Sequence, residues 1–257
     1  MCWWQARRCS RVVRSPIRDL TARISRRSGP RPRQRLADGL NLVFDLDGTL
    51  IDSAPQIHAA ANIVFANKGL PPFSEVTVRG FIGNGVEVLV GRLLAHQGIE
   101  AKPKLQAELV QSFINIYEEA FDLTRLYPFV TTTLSALCDA GHRLAICTNK
   151  PEGPTRAVLS HFDLAQVFPV IIGGDTLPRR KPDPAPLRAA LAALGPGKAL
   201  FVGDSEVDAE TAQRAGVPLA LFTGGYRKAA ADSLGARLIF DDHAALPRLI
   251  AHCAARL

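Results

Sequence analysis

The chain has 257 residues, 47% hydrophobic and 21% charged, which is ordinary usage for a globular protein and enough length to bury a sizeable core. This composition excludes a fibrous or largely disordered protein, and no apolar run approaches membrane-spanning length, so we expect no membrane partner. The net charge of +7 is uneven, because residues 1–38 contain eleven arginines against two aspartates and the remainder carries a net charge of −2. Since the basic part lacks interleaved aromatic residues for base stacking, we expect no nucleic-acid partner.

The basic arm, residues 1–38, shows no sustained apolar periodicity, and we predict that it is mostly disordered. Three interpretations stay open: an organelle transit peptide, an interaction tail, or upstream sequence included by a misplaced start. The five cysteines are odd in number and form no CxxC pair, which favours a reducing compartment over a disulfide framework or a zinc site. We therefore expect a cytoplasmic protein, or an organellar one if the arm is a transit peptide.

The first stretch with a clear structural pattern is LVFDLDGTLIDS, residues 42–53. Its apolar start predicts a buried strand, with Asp45 and Asp47 where the strand leaves the sheet and Gly48 allowing a sharp turn. Two carboxylates this close repel each other unless a cation or a shared proton relieves them. This strand end therefore predicts a metal site or an acid–base pair.

Residues 54–125 have helical periodicity and no predicted strand. Helices are predicted over 86–96 and 104–121, and an earlier helix closes near Gly69. Its apolar face is predicted to contain Ala59, Ala60, Ile63, Val64 and Phe65. Because this insertion is too large for a simple crossover, we predict a separate helical cap domain over 54–127, between core segments 39–53 and 128–257.

From residue 128 onward, helices and strands alternate. The predicted helices cover 131–140, the segment after Pro154, 186–194 and 206–215, and the predicted strands cover 144–147, 170–172, 199–202, 219–222 and 238–240. Such alternation predicts a parallel sheet with helices on both faces. The fold class is therefore α/β, a Rossmann-like parallel sheet core with an inserted small α-helical cap domain.

Polar residues stand at the ends of three predicted strands: Asp45 and Asp47, then Thr148, Asn149 and Lys150, then Asp204. The carboxyl ends of parallel strands are where such sheets bind ligands, so these side chains should converge. Asp204 alone would more readily be explained as a helix cap. Three polar strand ends at one edge favour a site.

Asp208 follows Asp204 by four residues on a predicted helix, where like charges repel unless a shared cation binds them. Oxygen ligands of this kind suit Mg²⁺. Asp208 could instead be a solvated surface residue, although we favour a role in orienting the metal's ligands. Lys181 precedes a proline-rich break, and a lysine there would balance the charge of the carboxylates and a bound anion, a role for which Arg179 and Arg180 compete.

Four segments in this order resemble the motifs of the haloacid dehalogenase-like hydrolases: DLDGTLIDS at 45–53, TNK at 148–150, KP at 181–182 and GDSEVD at 203–208. The helical insertion is similar to the small α-helical cap of that superfamily. Within it, SAPQIHAAAN at 53–62 and VRGFIGNGVEVLV at 78–90 resemble the phosphoglycolate phosphatases. The resemblance implies a Mg²⁺-dependent phosphatase of a small phosphorylated metabolite, with 2-phosphoglycolate as the first candidate.

The resemblance also implies a catalytic role for each motif residue. Asp45 would attack phosphorus to form an aspartyl-phosphate, while Asp47 would protonate the leaving group and later activate water. Mg²⁺ would be held by the carboxylates of Asp45 and Asp204 and the backbone carbonyl of Asp47, with Asp208 steadying its waters. The phosphoryl oxygens would contact Thr148, the backbone of Asn149 and Lys181.

The cap would recognise the organic part of the substrate. Our candidates are Arg79, Gly83, Asn84 and Gly85, of which Arg79 suits a carboxylate. The segment 83–85 is equally well explained as a plain turn. Alternative functions are a phosphatase or phosphomutase acting on a sugar phosphate or pyrophosphate, and a non-catalytic metabolite-binding regulator. The sequence leaves the oligomeric state open.

Overall fold

The computed structural model describes residues 39–118 and 121–253. The basic arm lies outside them, and its three interpretations stay predictions. In chain order the described strands are β1 (Asn41–Phe44), β2 (Ile51–Asp52), β3 (Arg125–Leu126), β4 (Arg143–Cys147), β5 (Val170–Ile172), β6 (Ala199–Gly203), β7 (Leu219–Phe222) and β8 (Leu238–Phe240). They fall into a six-stranded parallel sheet, in the order β5-β4-β1-β6-β7-β8, and a two-stranded antiparallel sheet, β2-β3.

The described α-helices are α1 (Ala54–Ala66), α2 (Glu75–Arg79), α3 (Val86–His96), α4 (Pro103–Glu118), α5 (Val130–Asp139), α6 (Glu152–His161), α7 (Ala185–Leu194), α8 (Glu206–Ala215) and α9 (Leu246–Cys253). Two short 3₁₀ helices, Ala231–Leu234 and His243–Ala245, precede β8 and α9. Within the described residues, no helix combines the length and the apolar character needed to cross a bilayer.

Strand β1 lies at the centre of the parallel sheet and is buried on both faces. Its side chains alternate, so Leu42 and Phe44 pack into one hydrophobic cluster and Val43 into another on the opposite face. A strand buried on both faces is mostly apolar, and residues 42–44 of β1 have this pattern. The α/β, Rossmann-like fold class predicted from the sequence is therefore confirmed.

Helices α1 to α4 form a separate helical layer with a hydrophobic cluster of their own. The cluster is built on fully buried large side chains such as Phe65, Leu93 and Leu109. A separate core is what an independent helical domain requires. The exact boundaries of the core and the cap, 39–53, 54–127 and 128–257, stay a prediction.

Several details differ from the sequence prediction. Ile63 is 49% exposed, because the buried face of α1 runs through Ala60, Val64 and Phe65 and turns Ile63 outward. Residue 121 is not helical, and α4 ends at Glu118. The prediction of a strandless insertion is wrong at its edge, since β3 pairs with β2 where the chain leaves and re-enters the core.

Two further differences concern helices. The helix predicted to follow Pro154 begins at Glu152, so Pro154 lies in its first turn. Backbone N–H groups there have no helical acceptor, and proline is tolerated for that reason. The five-residue helix α2 was not predicted, although Ser74 caps its N-terminus by accepting a hydrogen bond from Thr77 N.

Candidate active site

Three buried aspartates meet at the carboxyl end of the parallel sheet. Strands β1 and β6 are neighbours in register, so Asp45 and Asp204 leave the sheet side by side. Asp208 lies in the first turn of α8. One carboxylate oxygen from each of the three lies within 4.8 Å of the others. The predicted convergence of Asp45, Asp204 and Asp208 is therefore seen in the structure.

Lys181 reaches into this carboxylate cluster from the loop between β5 and α7. Its Nζ lies 2.9 Å from Asp45 Oδ1 and donates a hydrogen bond of 2.7 Å to Asp208 Oδ1. Its side chain is 2% exposed, so the charge is removed from water and compensated locally. Of the three basic residues weighed from the sequence, Lys181 is the one in the cluster.

The two neighbouring arginines are engaged elsewhere. Arg179 lies 3.6 Å from Asp183 and its side chain is 75% exposed. Arg180 forms an ion pair of 2.5 Å with Glu87 on helix α3. Neither pair includes a residue of the carboxylate cluster.

The electrostatics of the cluster suit a divalent cation. Burial raises the pKa of Asp45 to about 6, with Lys181 opposing and Asp208 adding to the shift. Burial, followed by repulsion from Asp208 and Asp45, raises the pKa of Asp204 well above its usual range. Although burial alone favours a neutral Lys181, the two carboxylates beside it raise its pKa.

Three carboxylates and one ammonium leave two formal negative charges in a buried space. A cation of charge +2 would neutralise these two charges, and all of its ligand atoms from the three aspartates would be oxygens. Hard divalent cations such as Mg²⁺ prefer this donor set. The residues present therefore fit a divalent metal ion, and they do not distinguish Mg²⁺ from other divalent cations.

Asp204 is held tightly in place. Thr49 Oγ1 donates a hydrogen bond of 2.8 Å to its Oδ1, and the Tyr226 N–H donates one of 2.6 Å to its Oδ2. Two glycines pack against the carboxylate. A Cβ at Gly225 would lie 2.2 Å from Asp204 Oδ2, and one at Gly48, whose φ is +88°, would lie 2.5 Å from it. These positions need glycine because the carboxylate occupies the side-chain space.

Asp208 uses both of its carboxylate oxygens. Its Oδ2 accepts hydrogen bonds from the backbone N–H groups of Asp204 and Ser205 and from the Ser205 hydroxyl, and its Oδ1 accepts from Lys181. Ser205 and Asp208 form a capping box at the start of α8. The serine–x–x–acid spacing is readable from sequence, so this contact could have been predicted. Asp208 thereby orients both the β6–α8 turn and Lys181.

Asp47 belongs to a second ion pair, with Lys150. Its Oδ1 accepts a hydrogen bond of 2.6 Å from Ser53 Oγ, and Lys150 Nζ lies 3.2 Å away. Lys150 was not among the predicted site residues, although it ends the TNK motif. Its side chain is 5% exposed and donates a hydrogen bond of 2.7 Å to Tyr117 Oη on α4.

Thr148 and Asn149 directly follow strand β4, and both are buried. The Asn149 side-chain amide donates to the carbonyl oxygens of Gly83, at 3.0 Å, and Lys181, at 2.9 Å. Its two amide hydrogens therefore connect the α2–α3 loop to the loop of Lys181. Because the side chain is engaged in this way, the backbone of Asn149 is the group left for the predicted phosphate contact.

A cavity of about 70 Å³ lies between the strand ends and the helical layer. Asp45, Asp47 and Thr148 form part of its polar floor, and helices α1, α3 and α4 supply a mostly apolar wall. Of the predicted cap residues in the described chain, Gly83 and Gly85 line the cavity.

The other two predicted cap residues lie outside the cavity lining. Arg79 forms an ion pair of 3.0 Å with Asp52, and Asn84 Oδ1 accepts a hydrogen bond of 2.9 Å from Arg92. Arg79 also lies over the ring of Tyr226, 5.1 Å from its centroid. Both side chains therefore contribute to the arrangement of the helical layer in this structure.

Comparison with known proteins agrees with this geometry. Residues 42–222 match the model of the haloacid dehalogenase-like hydrolase family, so the chain belongs to that family. It is 50% identical over 215 residues to a phosphoglycolate phosphatase of Cereibacter sphaeroides strain ATCC 17025, covering 83% of this chain and 99% of the relative. A phosphoglycolate phosphatase of Rhodobacter capsulatus is 42% identical over 209 residues, covering 81% of this chain and 95% of the relative.

Solved structures show the same fold. A predicted phosphoglycolate phosphatase from Haemophilus somnus 129pt superposes with a TM-score of 0.77 at 33% identity, covering 83% of this chain and 99% of the other. CbbY from Rhodobacter sphaeroides, solved in complex with phosphate, superposes with a TM-score of 0.68 at 25% identity, covering 80% and 95%. The motif-based assignment to the haloacid dehalogenase-like hydrolases is confirmed.

Proposed function

We propose that this protein is a Mg²⁺-dependent phosphatase that hydrolyses 2-phosphoglycolate to glycolate and phosphate through an aspartyl-phosphate on Asp45. The observation that carries the proposal is the buried cluster of Asp45, Asp204 and Asp208 around Lys181, with Asp47 beside it. Relatives named phosphoglycolate phosphatase, at 42% and 50% identity over almost their whole length, support the choice of substrate.

In the first half of the reaction, the Asp45 carboxylate attacks phosphorus while the bond to the glycolate oxygen breaks. Asp47, next to Asp45 at the same strand end, donates a proton to the departing oxygen. Phosphoester hydrolysis is very slow in water, so the negative phosphoryl group also needs fixed donors. The Lys181 ammonium, the Thr148 hydroxyl and the backbone N–H of Asn149 serve as those donors.

In the second half, water replaces Asp45 at phosphorus. Asp47 has lost its proton and accepts one from the attacking water, which returns both aspartates to their starting states. The buried floor of the cavity and the apolar wall above it keep other water molecules away from the intermediate.

The carboxylates of Asp45 and Asp204 and the backbone carbonyl of Asp47 would hold Mg²⁺, and Asp208 would orient the water molecules around it. When bound, Mg²⁺ neutralises charge on the phosphoryl oxygens during transfer. Thr49 and the two close glycines keep the Asp204 carboxylate in one orientation, so that little rearrangement is needed on metal binding.

Helices α1, α3 and α4 and the α2–α3 loop, within the predicted cap at 54–127, line the cavity and limit the size of the substrate. Gly83 and Gly85 bring backbone rather than side chains to the wall, which leaves room for a two-carbon acid. We further propose a cytoplasmic location, on the cysteine pattern described above.

A panel of phosphorylated substrates tests this function. The full-length protein with Mg²⁺ is assayed for initial rates on 2-phosphoglycolate, glucose 6-phosphate, glucose 1-phosphate and pyrophosphate. We expect kcat/KM for 2-phosphoglycolate to exceed the others by about 100-fold or more, since the site would match its carboxylate and its size. Comparable rates on hexose phosphates would overturn the substrate assignment, and conversion of one hexose phosphate to another would indicate a phosphomutase.

Failure of every phosphoester to turn over, together with tight binding of one of them, would instead favour the metabolite-binding regulator. Asp45→Asn is the matched control for the panel, because it removes the nucleophile and keeps the size of the side chain. The same protein without added metal, in the presence of a chelator, shows whether turnover requires Mg²⁺.

A further inference from the structure

Lys150 is a buried cation that faces the active-site cavity and has no role in the mechanism described above. Its Nζ contacts Asp47 at 3.2 Å and Tyr117 Oη at 2.7 Å, and its side chain is 5% exposed. Among the described residues that line the cavity, Lys150 is the one with a positive charge. A buried ammonium group is costly unless anionic or hydrogen-bonding groups compensate its charge. In this structure Asp47 and Tyr117 do so, and a bound anion could do the same.

The other basic residues near the site, Lys181 and Arg79, already pair with carboxylates of the protein. Lys181 lies between Asp45 and Asp208, where it compensates the carboxylate cluster. Arg79, the residue first expected to recognise a substrate carboxylate, is paired with Asp52 outside the cavity lining. The wall above Asp47 is built from apolar side chains such as Ile82. A substrate carboxylate that enters this cavity therefore meets Lys150 as its natural partner.

The position of Lys150 agrees with the structure of a phosphorylated 2-hydroxy acid. In 2-phosphoglycolate a single CH₂ group separates the ester oxygen from the carboxylate carbon. Asp47 must approach the ester oxygen to protonate it, and Lys150 Nζ lies within 3.2 Å of Asp47. A carboxylate one CH₂ group beyond the ester oxygen falls within reach of the lysine.

Tyr117 gives this contact a second anchor. It is 4% exposed, lies on α4 in the helical layer, and stacks on Phe113 with ring centroids 5.6 Å apart. Its hydroxyl accepts the hydrogen bond from Lys150, which belongs to the sheet edge. The pair therefore joins the two layers at the point where the organic part of the substrate would lie.

We propose that Lys150, positioned by Tyr117, binds the carboxylate of the substrate and determines specificity for phosphorylated 2-hydroxy acids. This inference rests on the proposed phosphatase function and assigns its specificity to a residue of the sheet edge, where the motif residues lie. Before substrate arrives, Asp47 and Tyr117 satisfy the ammonium. The substrate carboxylate adds a charge-assisted hydrogen bond, which a neutral substrate of equal size cannot make.

The test compares 2-phosphoglycolate with ethyl phosphate, which has the same carbon skeleton and no carboxylate. For Lys150→Met in the full-length, Mg²⁺-loaded protein, we expect kcat/KM for 2-phosphoglycolate to fall by about 100-fold, since a charge-assisted contact is lost. For ethyl phosphate the fall should stay within about threefold. Lys150→Arg keeps the positive charge and should restore at least a tenth of the wild-type selectivity.

Two further variants complete the design. Tyr117→Phe removes one hydroxyl and should lower kcat/KM for 2-phosphoglycolate by about fivefold, mainly through KM, with little effect on ethyl phosphate. It also provides the test if Lys150→Met fails to fold. Lys68→Met removes an exposed lysine that pairs with Glu108 in the helical layer, and both substrates should keep wild-type rates.

Equal losses on the two substrates in Lys150→Met or Tyr117→Phe would overturn the inference, because a structural or leaving-group role affects both alike. The wild-type protein separates this failure from failure of the proposed function. If wild type prefers 2-phosphoglycolate to ethyl phosphate and the variants do not change that preference, Lys150 is not the specificity residue. If wild type has no such preference, the assignment of 2-phosphoglycolate itself is wrong.

Discussion

The edge of the sheet and the helical layer meet at one cavity, yet they use polar side chains in opposite ways. At the edge, charged groups are buried beside one another, as with Lys181 between Asp45 and Asp208. In the helical layer, polar side chains hold loops: Asn62 accepts a hydrogen bond from Phe73 N and donates one to Phe73 O. The wall that this layer presents to the cavity is mostly apolar.

Because of this difference, the groups suited to the reaction lie at the sheet edge, whereas the helical layer can select a substrate by its shape. The sheet edge carries groups that can attack, protonate and hold a phosphoryl group. The helical layer supplies shape and excludes water, but in the described chain its lining side chains contribute no charge. In our proposal, the charge that recognises the substrate carboxylate comes from the contact between the two regions, where Lys150 of the edge donates a hydrogen bond to Tyr117 of the layer.

Among the variants of the two regions, Lys181→Met should have the largest effect. The change leaves Asp45 and Asp208 buried without their cation, so the free energy of unfolding should fall by about 3–5 kcal/mol in the absence of metal. We expect kcat/KM for 2-phosphoglycolate to fall by roughly 1,000-fold, because a donor to the phosphoryl group is lost as well. Urea unfolding and initial rates measure the two effects.

Arg179→Met is the matched control for that variant. Arg179 lies two residues away on the same loop and its side chain is 75% exposed, so the free energy of unfolding should change by about 0.5 kcal/mol or less. If both variants behave alike, burial of Lys181 among carboxylates is not what stabilises the edge.

A smaller effect is expected from Gly225→Ala. The new methyl group would lie 2.2 Å from Asp204 Oδ2, so the carboxylate must move away from the other two aspartates. We expect the Mg²⁺ concentration for half-maximal activity to rise by about tenfold, measured by titrating the metal at saturating substrate. Gly80→Ala, in the helical layer, is the control, because a Cβ there meets its nearest atom at 3.4 Å. An unchanged metal requirement in Gly225→Ala would argue against Asp204 as a ligand.

Another prediction concerns stability near the sheet edge, at His243. It is 2% exposed and its Nε2 lies 2.9 Å from the carbonyl oxygen of Thr49. Burial lowers the pKa of His243 to about 4, from the usual 6.5, so the folded protein keeps the ring neutral. The unfolded chain binds a proton below about pH 6.5, and the folded state is destabilised as pH falls from there towards 4.

From these values, the contribution of His243 to the free energy of unfolding should fall by about 2 kcal/mol between about pH 7 and about pH 5. His243→Gln retains an amide donor for Thr49 and cannot titrate. Urea unfolding of both proteins at the two pH values should therefore show a loss that is about 2 kcal/mol smaller in the variant. Equal losses would mean that other groups account for the pH dependence.

The sequence predicts the sheet edge well because local pattern and chemistry coincide there. Each predicted strand of the parallel sheet is present, with bounds that differ from the structure by at most one residue, since apolar runs that end in turn residues are typical of buried strands. Asp45, Asp204 and Lys181 converge as expected, since parallel strands bring their carboxyl ends to one edge.

Other features depend on packing that no local pattern encodes. The Lys150–Tyr117 contact joins residues 33 positions apart in two layers, and TNK alone shows just a lysine after a strand. Arg79 turns away from the cavity because Asp52 and the Tyr226 ring offer it partners. The pair β2–β3 has two residues in each strand, which is too short for alternation to be visible.

In the proposed reaction, Asp45 takes the phosphoryl group from 2-phosphoglycolate, and this claim can be tested chemically. An acyl phosphate is reduced by borohydride to an alcohol, so quenching the Mg²⁺-loaded enzyme with borohydride during turnover should convert Asp45 to homoserine. Peptide mass spectrometry would locate the change, which should require substrate and disappear in Asp45→Asn, whose kcat should be at least about 10⁴-fold lower. Rapid turnover of 2-phosphoglycolate with Asp45 recovered unmodified, or substantial activity in Asp45→Asn, would contradict the claim.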